Sequence, residues 1–234
     1  MHTHHTAPYN CKQLKSSATD SPAAFFDVDG TLLPGTFGEG IFIRYLLDHR
    51  VLTWKHLARY IISVLSGGDF FRRVAWERNK IFLQGLGVDV IRKWAQRCFG
   101  DRILPRLSKR GLAAVKGHLR EGHRVFFVSA SLSDLVEPLR KHLQAHGVLA
   151  TRLASEGGYL IGDTQGDFVY GQRKAELLCQ FASMWHIDLD HSFAYSDHHS
   201  DIPLLEMVGH PVAVNPDKEL LRHAMKRGWP VEMF

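Results

Sequence analysis

A chain of 234 residues, 45% apolar and 23% charged, is long enough for one core domain plus a sizeable insertion, and its composition is ordinary for a soluble globular protein. No apolar run approaches the length of a membrane span, the nearest being Tyr60 to Leu65, and the N-terminus lacks the apolar core of a signal peptide. The net charge of +5 is dispersed; it suits an anionic substrate, whereas nucleic acid as a partner would call for interleaved basic and aromatic residues that are not there.

Residues 1–21 mix His, Thr, Ser and Lys without periodicity and read as a disordered lead-in, with His2, His4 and His5 as part of a floppy terminus. Cys11, Cys98 and Cys179 are odd in number and scattered, so the expectation is reduced thiols in a cytoplasmic protein. Pro22-Ala23 leads into an apolar strand that ends in Asp27-Val28-Asp29-Gly30-Thr31. From about Thr36 to Gly122 the pattern is helical, broken at Gly67-Gly68, Gly85-Leu86-Gly87 and Gly100. Within it Leu57, Tyr60, Ile61, Val64 and Leu65 follow the stripe of a half-buried helix.

After Gly122 strands and helices alternate. Strands are expected over 124–129, 148–154, 192–195 and 211–214, helices over 134–146, 173–186, 201–208 and 217–227, and a hairpin or flap over 156–170. That alternation predicts an α/β fold, a Rossmann-like doubly wound parallel sheet, with the early helical block inserted after the first strand. The boundaries follow: a core from 22–35 and 123–234, and an inserted helical domain over 36–122.

Four places along this frame carry chemistry. Asp27 and Asp29, two apart, leave a strand end on one face, where two carboxylates are costly unless a cation or a shared proton relieves them. Gly30 frees the backbone to approach a ligand and Thr31 adds a hydroxyl, so the pair of motifs suits a divalent metal beside a phosphate. Ser129 closes a second buried strand, where its hydroxyl and the following amide of Ala130 suit a phosphoryl oxygen, with Ser133 as the cap of the next helix. Lys174 sits near a helix N-terminus, against the dipole preference, a conflict that a bound phosphate would resolve. Asp197 and Asp201 follow a further strand, and an oxygen-only donor set points to Mg²⁺. Adjacent His198 and His199, without a cysteine, read as loop residues rather than zinc ligands.

In this order the four elements resemble the haloacid dehalogenase superfamily of phosphatases, over roughly Ala23 to the C-terminus. The helical insertion after the first motif, the Tyr-Ser-Asp opening of the fourth and the Gly-Trp-Pro near Gly228 are similar to the subfamily IB, phosphoserine phosphatase-like branch, whose insertion is a helical cap. The resemblance implies that Asp27 is a nucleophile forming an aspartyl-phosphate and Asp29 the general acid and base. It also implies Mg²⁺ held by Asp27, the main chain of Asp29 and Asp197 with Asp201 orienting water, and phosphate held by Gly30, Thr31, Ser129, Ala130 and Lys174. The implied partner is a small phosphorylated metabolite, phosphoserine-like or an amino-alcohol phosphate such as histidinol phosphate.

Two departures weaken phosphoserine itself: Thr36 stands where that branch carries a substrate-reading glutamate, with Glu39 out of register, and Gly30 replaces a usual serine. A phospholipid head group and phosphotransfer to an alcohol stay open. A phospho-receiver module fits less well, since its acidic pair and acceptor lie on different strands and it lacks an insertion. Arg72, Arg73, Arg78 and Lys80 are expected on solvated helix faces, with gripping of an anionic substrate as the alternative.

Overall fold

The computed structural model describes residues 20–66, 80–166 and 168–234; the lead-in up to residue 19 and Arg72, Arg73 and Arg78 lie outside them. Seven strands form one sheet: β1 (Ala23–Phe26), β2 (Arg124–Leu132), β3 (Gly147–Glu156), β4 (Tyr159–Gln165), β5 (Phe193–Ser196), β6 (His210–Val214) and β7 (Val231–Glu232). Their order is β4-β3-β2-β1-β5-β6-β7, with every pair parallel except the β3–β4 hairpin.

β1 is central because it is apolar on both faces. Its four side chains are fully buried, Ala24 and Phe26 in one hydrophobic cluster and Ala23 and Phe25 in the other. Only a strand covered on both sides can carry such a run, which is what a doubly wound sheet provides. The α/β expectation holds.

The helices are α1 (Gly38–Asp48), α2 (Trp54–Ser66), α3 (Val88–Cys98), α4 (Lys109–Arg120), α5 (Ser133–Leu143), α6 (Gln172–Trp185), α7 (Ile202–Leu205) and α8 (Lys218–Arg227). α4 falls inside the sequence-assigned insertion yet packs on β1 and β2. A Cβ on its Gly111 would lie 2.8 Å from Leu32 Cδ2, so a glycine lets the helix sit against the core. The preceding segment is tied to the hairpin by main-chain bonds from Lys80 N to Gly162 O (3.0 Å), Gly85 N to Leu160 O (2.9 Å) and Val88 N to Gly158 O (2.9 Å).

Other expectations change. On α2, Ile61 and Leu65 are exposed, because the helix packs on one side only, with Tyr60 edge-on to Phe82. Ser133 does not cap α5: β2 runs on to Leu132 through a bulge, and Ser129 Oγ takes the Ser131 N–H at 3.0 Å. Lys80 is neither solvated nor free, being buried and paired with Glu39 at 2.6 Å. β7, two residues long, is too short to show a period. Cys98 is a buried free thiol, but Cys179 is disulfide-bonded, so the cysteines no longer argue for a reducing compartment.

Candidate active site

The carboxyl ends of β1, β2 and β5 lie side by side in the sheet, and the residues singled out in the sequence follow these ends, except Lys174, which the start of α6 brings in. The Asp27 amide donates to the Tyr195 carbonyl at 2.9 Å, extending the β1–β5 register by one residue. The chain then turns tightly, with Gly30 N to Leu33 O at 2.9 Å and Leu33 N to Val28 O at 2.8 Å. Gly30 has φ +82°, and a Cβ there would fall 1.9 Å from Asp197 Oδ2. Glycine is therefore required twice over, for the left-handed backbone and for the close approach of the first and fourth motifs.

Gly30→Ala is expected to cost about 1–2 kcal/mol from the backbone alone. By pushing Asp197 aside it should also weaken this site for a divalent cation on the order of tenfold. Mg²⁺-dependent thermal shifts of the variant check this; an unchanged midpoint for the cation contradicts it.

Around this turn the buried polar groups form one network. Lys174, at the start of α6, donates to Asp27 Oδ1 and to Asp201 Oδ2, each at 2.7 Å. Ser196 Oγ also reaches Asp201 Oδ2 at 2.7 Å, while Asp201 Oδ1 is buried without a hydrogen-bond partner. The buried Thr31 hydroxyl lies 3.2 Å from Asp27 Oδ2 and 3.3 Å from Asp197 Oδ1, and its single proton cannot serve both.

Burial pushes the Asp27 carboxyl up to about 8; Asp201 and Asp197 add to the rise and Lys174 opposes it. Asp197 rises to about 6, again chiefly through burial, with Asp201 contributing. Burial alone would lower Lys174, but Asp201 and Asp27 outweigh it and hold it charged. Ionising all three carboxyls against one ammonium would leave two negative charges in the interior, which is why burial and mutual repulsion hold Asp27 and Asp197 toward their neutral forms, and Asp201 Oδ1 is an unmet acceptor besides. That donor set, all oxygen, fits a hard divalent cation.

Asp29 points elsewhere. Its Oδ1 accepts the Gly38 amide at 2.6 Å, at the start of α1, and its Oδ2 accepts Ser131 Oγ at 2.5 Å, with Ser129 Oγ at 3.5 Å. Ser129 is fully buried, and the Ala130 carbonyl is taken by Thr151 Oγ1 at 2.8 Å.

A haloacid dehalogenase-like hydrolase family model matches residues 24–206. The chain belongs to this family. The hydrolase is 32% identical to the "inhibition of morphological differentiation protein" of Streptomyces azureus, over 95% of this chain and 82% of that one. It is 33% identical to a "probable phosphatase" of Mycobacterium tuberculosis, over 91% of this chain and 75% of the relative. A solved protein of unknown function from Bordetella pertussis Tohama I superposes with a TM-score of 0.72 at 25% identity, covering 92% of this chain and 99% of its own. Phosphoserine phosphatases occur both among the sequence relatives and among the structures sharing the fold. The hydrolase is thus an enzyme of the family's phosphatases.

Three residues around the hydrolase's site escaped the sequence reading. Ser131 and the Gly38 amide hold Asp29, and Asn215, at φ +44°, donates to the Gly30 carbonyl at 3.2 Å. The Ser-Ala-Ser spacing and the Asn-Pro pair were the available signals, but neither tells which way a side chain points. His198 and His199 are not loose loop residues: His199 opens a 3-10 turn over His199–Asp201 and bonds Asp217 Oδ2 at 2.6 Å, His198 Nε2 lies 3.6 Å from the same oxygen, and Asp217 also caps α8.

Ser131→Ala is expected to lower kcat about tenfold, from the lost bond that orients the Asp29 carboxyl, with KM within about twofold. Steady-state kinetics check it, and unchanged kcat would separate Ser131 from Asp29.

Proposed function

We propose that the hydrolase is a Mg²⁺-dependent phosphomonoesterase working through an aspartyl-phosphate on Asp27. The observation carrying this reading is the division of labour between the two N-terminal carboxylates. Asp27 is buried, clamped by Lys174 and close to Asp197 through Thr31, whereas Asp29 is held apart by Gly38 and Ser131. In this reading the first attacks and the second handles a proton.

In this scheme an Asp27 oxygen attacks the substrate's phosphorus as the ester P–O bond breaks, and Asp29 delivers a proton to the leaving alcohol oxygen. Asp29, now ionised, takes a proton from water as that water attacks the aspartyl-phosphate, which releases phosphate and restores Asp27. Lys174, Thr31, Ser129 and the amide at Ala130 balance the phosphoryl charge, where most of the barrier lowering in such reactions arises, whereas the Gly30 amide is already bonded to the Leu33 carbonyl. Asp27, Asp197 and the main chain of Asp29, with Asp201 beside them, would hold Mg²⁺, which supplies further positive charge against those oxygens. The helices ahead of α4, tied to the β3–β4 hairpin, act as the cap.

The substrate in this reading is a small phosphomonoester, phosphoserine-like or an amino-alcohol phosphate. Glu39 opens α1 next to the Gly38 amide that holds Asp29 and is engaged by Lys80, so its charge is already met. That favours leaving groups other than a free amine bound at Glu39. A second reading, a lipid phosphate, is favoured by one observation: α2 exposes Trp54, Ile61, Ile62 and Leu65. No helix among the described residues is long and apolar enough to cross a membrane.

A phosphate-release screen with Mg²⁺, over soluble phosphorylated metabolites and over vesicles doped with phosphatidyl phosphomonoesters, tests both. Release that vanishes with EDTA and in Asp27→Asn supports the phosphatase. A stable phospho-protein without turnover would favour a receiver, and phosphate appearing on an added alcohol would favour phosphotransfer.

A further inference from the structure

On the other side of the molecule from the carboxylates, α4 ends in a Schellman turn. The Gly122 amide bonds Leu119 O at 3.3 Å, the His123 amide bonds His118 O at 3.0 Å, and Gly122 takes φ +79°. The bond that closes this turn joins the backbones of two histidines, and their rings meet as a result. His118 Nδ1 and His123 Nδ1 lie 2.8 Å apart, Glu121 Oε2 is 3.6 Å from His123 Nδ1, and the three donor atoms fall within 4.8 Å of one another. His123 leads directly into β2, so the cluster sits where the strands enter the sheet, and the catalytic carboxylates sit where they leave it.

We propose that His118, Glu121 and His123 bind one transition-metal cation of the Zn²⁺ or Co²⁺ class, at a site separate from the phosphoryl-transfer centre.

Four observations support it. Two imidazole nitrogens and one carboxylate oxygen are the donors preferred by such cations and not by Mg²⁺. The His118 ring is fixed before any ion arrives: it is buried among Phe26 and Phe193, and its Nε2 lies 2.8 Å from Tyr195 Oη. A metal-bound histidine commonly donates its other N–H to such a partner, which orients the ring and raises its basicity. Two ring nitrogens 2.8 Å apart can bond only if one of them is unprotonated, so a lone pair already faces the cluster. Finally, Glu121 is largely exposed, which leaves an entry path and a place for water as a further ligand.

Geometry asks for little movement. Tetrahedral ligation at about 2.0–2.1 Å needs the two nitrogens roughly 3.3 Å apart, an opening of about half an ångström. In the metal-free state one nitrogen of the pair must carry a proton to bond the other, and the cation replaces that proton. Bound there, it would join the end of α4 to the entry of β2, while His118 keeps its existing contact with Tyr195 Oη.

The test is Co²⁺ titration of the full-length, metal-free protein, followed by the visible ligand-field band of four- or five-coordinate cobalt. His2, His4, His5, His198 and His199 are replaced by Asn to silence competing imidazoles. One equivalent is expected to give that band, since Co²⁺ taken up by the all-oxygen carboxylate site is six-coordinate and absorbs only weakly. His123→Asn, checked for folding by circular dichroism, should weaken it at least about 100-fold, while Glu121→Gln and Tyr195→Phe should each cost about tenfold. Failure of any band to appear, or a band that survives His123→Asn, overturns the site and leaves a hydrogen-bonded His–His–Tyr chain. Because the readout is cobalt spectroscopy, it stands whatever the phosphatase screen returns.

Discussion

Asp27→Asn is expected to lower kcat for phosphate release by about 10³-fold or more, without unfolding the protein. The size of the loss follows from the role, since an amide cannot form the acyl-phosphate and the remaining groups then act on an unattacked ester. The retained stability follows from the surroundings. Asp27 is buried beside Asp201 and Asp197, and burial resists its charge, so a neutral side chain of the same shape relieves repulsion while its Oδ1 still accepts from Lys174. In the absence of Mg²⁺ the variant's melting temperature should match or exceed that of the wild type. Added Mg²⁺ should stabilise the wild type by about 2.7 kcal/mol at a hundredfold excess over Kd, and the variant far less. Calorimetry with and without EDTA, paired with phosphate release, reads both. Turnover within about tenfold of the wild type would remove Asp27 from the reaction.

The parts of this site that could be read from the chain are those where local chemistry and strand geometry coincide. Ala23 to Phe26 is apolar at every position, so both faces had to be covered, and the acids that follow had to lie at the strand's carboxyl end. Asp27, Gly30, Thr31, Lys174, Asp197 and Asp201 all meet there, brought together from positions up to 174 residues apart. What the chain withheld depends on direction rather than residue type. An amphipathic pattern says that α4 and α2 are helices but not what each packs on, so α4 turned out to lie on the sheet and Ile61 and Leu65 of the α2 stripe to face solvent. Asp29 looked like a partner of Asp27 at a shared cation, yet its carboxylate turns to Ser131 and Gly38. Lys80 resembled any exposed cation until Glu39, 41 positions earlier, met it in the fold.

Lys174→Met is expected to destabilise the metal-free protein by about 3–5 kcal/mol, the range for removing one member of a buried ion pair. The methylene stem is replaced by a side chain of similar volume, so the cost is mainly electrostatic. Lys174 is the cation that bonds both Asp27 and Asp201 at 2.7 Å, and without it Asp201, already with one unpaired oxygen, loses another partner. A lysine that served only to bind phosphate would behave differently: its loss would raise KM and leave the unfolding midpoint in place. The two roles separate in a double-mutant cycle. Asp201→Asn added to Lys174→Met should recover a large part of the lost stability, because it removes one of the stranded charges, whereas neither variant should regain turnover. Urea unfolding of the four proteins in EDTA gives the coupling energy. An additive result, with the second substitution simply adding its own cost, would mean that Lys174 and Asp201 do not share the buried charge. Excess Mg²⁺ should also restabilise Lys174→Met more than the wild type, since a cation beside Asp27 and Asp197 takes over part of the charge balance that the ammonium had supplied.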